Sequence, residues 1–403
     1  MNRPPVEPKT ALVLPGGGAR GAFQVGVLKA VAELLPRSSR NPFPIVSGTS
    51  AGAVNAVVLA TRARKYRSAV AELERVWGHF RCNQVYRTDH LAMLKGSLHW
   101  LTALVLGGWL VGMPTSLLDN TPLRRLLSRN VHFPRIRDAI EAGHLDAAAI
   151  TAAGYASARS VSFFEAERGY PGWERTRRVG QAAELGLEHL MASIAVPYIF
   201  PPARIGNEWF GDGAMRQATP LSPAVHLGAD RILVIGIRDE MGGAEPDDAG
   251  QPPSFAQIAG YMLDTLFMDG LYSDLERLMR INDLLDAAPA EPLHIGGSRM
   301  RPIDTMLIVP SKDLRVIAEK HRAELPFAIR ALLRGVGGRR PGEDKLLSFL
   351  LFEQAYTREL MQLGYRDAMN VKDQLVDFVT GAEVPRLFAP GWVQRDLRAL
   401  SPE

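Results

Sequence analysis

The chain has 403 residues, 46% of them apolar and 22% charged, which allows two or three domains or one large one and excludes disordered, fibrous and collagen-like classes. Lys and Arg outnumber Asp and Glu by 47 to 43, a formal charge of +4, which suits weak attraction to an anionic surface and is too small for a dedicated nucleic-acid binder. Cys82 is the single cysteine, so a disulfide framework and a CxxC metal or redox pair are both excluded.

Residues 1–10 carry three prolines and no apolar run, which argues against a secretory signal and for a cytoplasmic location. Residues 11–14 form a short apolar strand that enters Pro15-Gly16-Gly17-Gly18, and 22–35 follow as a helix with Phe23, Val27, Ala30, Val31 and Leu34 on its apolar face. The unit then repeats: Pro44-Ile45-Val46 is a strand, Ser47-Gly48-Thr49-Ser50-Ala51-Gly52 a tight turn, and 53–60 an apolar helix. Further strands are expected at 147–151, 161–164 and 231–237, with a helix around 184–192. Strands alternating with helices imply a mostly parallel, doubly wound sheet.

Residues 96–118 are 23 positions without a formal charge, and they include Trp100 and Trp109. That is nearly the length of a membrane span, but Gly107, Gly108, Gly112 and Pro114 interrupt it. Three readings stand: a transmembrane helix, an interfacial or substrate-facing element, and a buried core helix. The tryptophans near the ends of its apolar part suit peripheral membrane contact. Residues 241–254, rich in Gly, Pro and acid, read as a linker between a domain at 8–240 and a mainly helical region at 255–403. In that second region 255–285 and 346–363 are helix-like, and 306–309 is a strand that returns to the first sheet.

Gly48-Thr49-Ser50-Ala51-Gly52 is a G-x-S-x-G string placed where a strand becomes a helix. A serine at such a turn projects its hydroxyl away from the sheet, and the small flanking residues allow the bend. The bland alternative is a glycine-lined turn with Ser50 capping the helix. Gly16-Gly17-Gly18-Ala19-Arg20-Gly21 also satisfies G-x-G-x-x-G. A dinucleotide site would require an acid at the end of the next strand, where Ser47-Gly48 stand instead. The other reading is an anion site of backbone N–H groups beside the neighbouring turn, suited to an acyl-transfer oxyanion. A serine nucleophile needs a base. Asp212, set between Gly211 and Gly213 after a strand-like stretch at 208–210, is one candidate, and His226, His294 and His321 are formal others. Taken alone, Asp212 reads as an ordinary turn acid.

Together Gly16-Gly17-Gly18-Ala19-Arg20-Gly21, Gly48-Thr49-Ser50-Ala51-Gly52 and Asp212-Gly213-Ala214 resemble the three motif blocks of the patatin-like phospholipases, in the same order. The run from Ala192 through Ser193 and Pro197 to Pro202 resembles the block that precedes D-G-A, and 116–123 fits as well. The resemblance covers about residues 10–237; beyond that, 363–368 is similar to longer bacterial members only loosely.

The resemblance implies a three-layer α/β/α fold and a Ser-Asp dyad without histidine. Ser50 would be the nucleophile, Asp212 the base, and Gly16, Gly17 and Gly18 the backbone oxyanion hole, with Gly21, Gly48, Gly52 and Gly213 as motif neighbours. Arg20 is expected to pair with an acid and hold the loop rather than to meet a lipid phosphate. The implied reaction is hydrolysis of a phospholipid or other acyl ester through an acyl-serine, with no cofactor and no metal. A carboxylate titrating near 4 is a weak base at neutral pH, so modest turnover is expected unless the site is poorly solvated. Transfer to an alcohol or thiol, cleavage of a thioester, and a non-catalytic lipid-binding role are the alternatives.

Overall fold

The computed structural model describes residues 8–89, 115–237, 254–287, 294–295, 298–335 and 344–399. β1 (Thr10–Leu14) is buried along its whole length, and its period-2 alternation divides the apolar run between two cores, Leu12 and Leu14 on one face and Ala11 and Val13 on the other. A strand buried on both sides requires helices on both sides. The first face carries α1 (Ala22–Leu34), α2 (Ala51–Thr61), α3 (Tyr66–Trp77) and the Gln354–Asn370 helix; the second carries the Ser222–His226 and Gly391–Ala399 helices. The fold is therefore mixed α/β in three layers.

The remaining strands in chain order are β2 (Ile45–Thr49), β3 (Ala147–Gly154), β4 (Ser160–Ala166), β5 (Trp173–Arg175), β6 (Arg178–Ala182), β7 (Ala203–Ile205), β8 (Glu208–Asp212), β9 (Arg231–Ile235), β10 (His294–Ile295), β11 (Ser298–Arg299), β12 (Asp304–Ile308) and β13 (Leu387–Phe388). The main sheet runs β13-β12-β9-β1-β2-β3-β4-β6-β5, with β8 also on β3 and β7 on β8. From β13 to β3 all neighbours are parallel. β1 sits between β2 and β9, so the chain crosses to one side after β1 and later returns to the other. Such a switch point opens a crevice at the carboxyl ends of the strands.

The expected elements differ from the observed ones in several places. β2 continues through Ser47, Gly48 and Thr49, which were expected in the turn, because β3 pairs with them as far as Thr151. Residues 346–363, expected as one helix, divide into Asp344–Leu350 and Gln354–Asn370. The break lies where Leu351 and Phe352 turn inward and the Glu353 carboxylate accepts from the Cys82 N–H at 3.1 Å. β5, β6, β7 and β13 were not anticipated; they are short, and β5 reads Trp-Glu-Arg, without an alternating apolar face. Residues 304–308 and 387–388 both extend the first sheet. Of the uncharged segment 96–118, residues 96–114 lie outside the described residues, as do 241–253 of the expected linker. Among the described residues no helix is long and apolar enough to cross a membrane.

The C-terminal helices are pressed tightly onto the first face. A Cβ at Gly364 would overlap the Phe23 carbonyl, and one at Gly26 would overlap the Met361 carbonyl, so α1 and the Gln354–Asn370 helix approach backbone to backbone. The 33-residue Phe255–Ala287 helix contributes Leu263 and Phe267 to one core and Leu271 and Leu275 to the other, so it passes around the sheet from face to face. Gly364→Val should destabilise the protein by about 3 kcal/mol or more, an overpacking penalty against backbone that has no room to yield. Urea unfolding followed by circular dichroism reads this directly, and an unchanged midpoint would show that the helices can separate freely.

Candidate active site

The position of the site follows from hydrogen bonding along β3. One edge of β3 pairs with β4 along its length. On the other edge β2 occupies the first five positions, ending with Thr49 opposite Thr151. The antiparallel β8 occupies the last three, beginning with Asp212 opposite Ala152. β2 and β8 therefore meet end to end, which brings Ser50 and Asp212 together from positions 162 residues apart. Asp212 is the last residue of β8, not a residue of a free turn.

β2 cannot continue past Thr49 because β8 fills the next place in the sheet. The chain leaves at Ser50 with φ 54° and ψ −128°, a conformation that costs a non-glycine residue about 1–3 kcal/mol, and enters α2 at once. The turn is held from outside. The Ser50 N–H donates to Ser193 Oγ at 2.9 Å, and Ser193 Oγ donates to the Thr151 carbonyl at 2.7 Å. Gly48 and Gly52 are required here because a Cβ on the first would meet the Gly52 carbonyl and a Cβ on the second the Leu14 carbonyl. Thr49 Oγ1 hydrogen-bonds Gln217, whose amide nitrogen donates to Thr151 Oγ1 at 3.3 Å.

The glycine loop lies against this turn. A Cβ on Gly16 would sit 2.8 Å from Ser50 Cβ, and one on Gly17 would strike Ile237. Gly18 has φ +53°, and the Phe349 carbonyl occupies the place of a side chain there. Gly21 packs on Ala51 and Trp77. No hydrogen bond from the N–H groups of Gly16, Gly17 or Gly18 is formed among the described residues, which leaves these donors available to an anion. A buried amide network fixes the loop from behind: Gln24 donates to the carbonyls of Pro15 at 2.9 Å and Ile235 at 3.2 Å. Asn55 donates to Gln24 Oε1 at 2.9 Å and accepts from the Trp77 indole at 2.8 Å.

Arg20 does not face the site opening. It is 3% exposed, pairs with Asp264 at 3.3 Å, donates to Ser348 Oγ at 3.0 and 2.7 Å, and lies 4.0 Å from the centre of the Phe349 ring. It holds the loop to two C-terminal helices, as expected of a structural pairing.

The electrostatics single out Asp212. Its carboxyl is 2% exposed, and burial raises its pKa to about 7, against smaller opposing effects of the Ser50 hydroxyl and the Ala214 N–H. Oδ1 accepts from Ala214 N at 2.9 Å, whereas buried Oδ2 has no partner of full hydrogen-bond geometry. Ser50 is thus near enough to act on the carboxyl without completing a bond, the looseness usual before substrate binds. Gly213 follows with no room for a side chain beneath the Thr151 carbonyl. His226 stacks on Trp173 with ring centres 4.8 Å apart, and burial lowers its pKa to about 4. His321 lies between Glu324 and Glu359. Neither is brought to Ser50, and nothing is described of the His294 side chain. Among the described residues no group of His, Cys, Asp and Glu is arranged to hold a metal.

Gln24, Asn55 and Trp77 are the residues that motif reading missed; Ser193 fell inside the block before D-G-A but was given no role. A lone amide inside an otherwise apolar helix, as in Ala22-Phe23-Gln24-Val25 and Ala53-Val54-Asn55-Ala56, is the signal that would have found two of them.

A serine on a strained strand-to-helix turn, a buried carboxylate at its side and unpaired N–H donors next to both make up the parts of acyl-transfer chemistry. The model for the patatin-like phospholipases matches residues 12–225, and the chain belongs to that family, a family of lipid acyl hydrolases. No curated protein matches it. Among solved structures VipD from Legionella pneumophila is similar over 98% of this chain and 75% of that one, with 13% identity and a TM-score of 0.36, a likeness too distant to bear on the chemistry.

A carboxyl that titrates near 7 when folded and near 4 when unfolded keeps its proton in the native state between those values while the unfolded chain loses it. Its burial therefore weakens the fold increasingly as pH rises from about 4 to about 7. Asp212→Asn should be more stable than wild type at pH 8, by at most about 4 kcal/mol, with the gain shrinking toward pH 4. Thermal denaturation across that range measures it, and a gain independent of pH would refute the buried charge as its source.

Proposed function

We propose that the protein is a serine lipid acyl hydrolase that works through a Ser50–Asp212 dyad. The observation that carries this reading is the end-to-end meeting of β2 and β8, which sets a buried carboxyl of pKa about 7 beside a strained serine. Ser50 Oγ attacks the ester carbonyl and Asp212 takes its proton. The N–H groups of Gly16, Gly17 and Gly18 receive the oxyanion. Collapse expels the alcohol, which regains the proton from Asp212, and leaves acyl-Ser50. Water then attacks the acyl group with Asp212 again as base. Burial answers the objection that an aspartate is too weak a base, because a pKa near 7 is matched to neutral operation. The cavity at Ser50, lined by Val54, Val196, Leu263, Phe267 and Phe349, suits an acyl chain.

Ser50→Ala and Asp212→Asn should each lower kcat/KM on a p-nitrophenyl ester and a fluorogenic phospholipid by about 10³-fold or more, and His226→Ala by less than about threefold. Wild-type kcat/KM should rise with pH to a plateau above about 7, the direction required when the base must lose a proton. Loss of activity in folded His226→Ala with activity kept in Asp212→Asn would overturn the dyad.

Peripheral membrane association belongs to the same proposal. Tyr198, Trp209 and Tyr155 are 70%, 52% and 47% exposed, and Tyr155 feels the charge of Asp212, so an aromatic rim stands beside the site. Aromatic side chains of this kind favour the bilayer interface. Changing Tyr198 and Trp209 together to serine should reduce co-sedimentation with phosphatidylcholine–phosphatidylglycerol vesicles several-fold, and unaltered binding would place the membrane contact elsewhere.

A further inference from the structure

The cavity at Ser50 continues away from it along one helix. Ala51, Val54, Val58 and Thr61 line it from α2, the i, i+3/i+4, i+7 stripe of a single face, and Arg62 follows just past the helix end. α3 and the Thr121–Asn130 helix supply the opposite walls. On α3, Trp77 lies near the Ser50 end, where it reaches Asn55, while Glu72 lies at the far end, within electrostatic reach of Arg62. The walls change character along the way. Near Ser50 they are aliphatic and aromatic, and toward the end of α2 the polar groups of Thr61, Arg62 and Glu72 join them, with Asn130 beside Val131 also in the lining.

We propose that this cavity measures the length of a single acyl chain, an inference that rests on Ser50 being the nucleophile. At 1.5 Å per residue, Val58 stands about 12 Å and Thr61 about 16 Å along α2 from Ser50. An extended alkyl chain advances about 1.25 Å per carbon, from ordinary bond lengths and angles. A tail attached at Ser50 therefore fills the apolar section at about 12 to 14 carbons. Up to that length each methylene leaves water and raises kcat/KM about fourfold. Beyond it, further methylenes enter a charged, hydrated mouth and gain nothing. The cavity takes one chain, so the alcohol side of the substrate and any second chain stay outside it. Val58 is the specificity-determining residue, because its side chain borders the bore at a depth of about ten carbons.

The test is kcat/KM on p-nitrophenyl esters from butanoyl to octadecanoyl for wild type, Val58→Trp, Val58→Phe and the pair Thr61→Val with Asn130→Leu. Folding is checked by circular dichroism and Ser50 by fluorophosphonate labelling. Wild type should peak at 12 to 14 carbons. Val58→Trp should move the peak to 8 to 10 carbons and cut the ratio of tetradecanoyl to octanoyl rates at least tenfold. Val58→Phe should do the same in lesser degree and guards against misfolding of the tryptophan variant. The far-end pair should move the peak to longer chains. A flat wild-type profile, or an unchanged ratio in folded variants whose Ser50 still reacts with the probe, overturns the ruler alone. Absence of Ser50 labelling in active wild type overturns the nucleophile assignment and the ruler with it.

Discussion

A single edge of β3 is shared by two strands that run in opposite directions, and the candidate site falls at the point where they divide it. Backbone donors and acceptors of a buried strand must be paired along its whole length. β2 satisfies five residues of β3 and stops, and β8 satisfies the last three from the other direction. Neither strand can lengthen without displacing the other. The strained backbone of Ser50 and the burial of Asp212 are then two results of one hydrogen-bonding requirement, and each is costly taken alone. The sheet tolerates both because the rest of it is regular: β13, β12, β9, β1, β2 and β3 are parallel and buried by helices on two faces.

Around that junction the structure spends polar groups in its interior with every partner supplied. Ser193 bridges the Ser50 N–H and the Thr151 carbonyl. Gln24 and Asn55 tie the glycine loop to β9, α1 and α3. Buried networks of this kind rigidify when complete, and rigidity is what lets backbone N–H groups favour a developing charge. The exception is Asp212 Oδ2, which is buried without a hydrogen bond of full geometry. That atom belongs to the group proposed above to take a proton.

Much of this was legible in the sequence, for identifiable reasons. Glycines 18, 48, 52 and 213 stand against backbone carbonyls and glycines 16, 17 and 21 against close side chains, so they stand out as strings. Ser50 was readable because an apolar strand and an apolar helix flank it. The alternation of strands and helices gave the parallel sheet. The partner of Ser50 was not readable from spacing, since a register between β3 and β8 leaves no local pattern. Only the likeness of Asp212-Gly213-Ala214 to a known motif block favoured it over histidines. Gln24 and Asn55 stayed hidden because a single polar residue in a helix looks the same in sequence whether it is buried or exposed. β5, β6, β7 and β13 escaped because they are short and carry no sustained alternating apolar pattern.

Arg20 has a consequence for biosynthesis. The loop that follows the first strand is fastened by Asp264, Ser348 and Phe349, about 240 to 330 residues downstream. At about 5–20 residues per second, translation reaches those partners only tens of seconds after the loop has been made. During that interval Ser50 can already be in place while the groups opposite it have no rigid backing. On the proposed mechanism, the loop that receives the oxyanion gains its backing only when the C-terminal helices dock, which ties the timing of catalytic competence to the order in which the chain is synthesised.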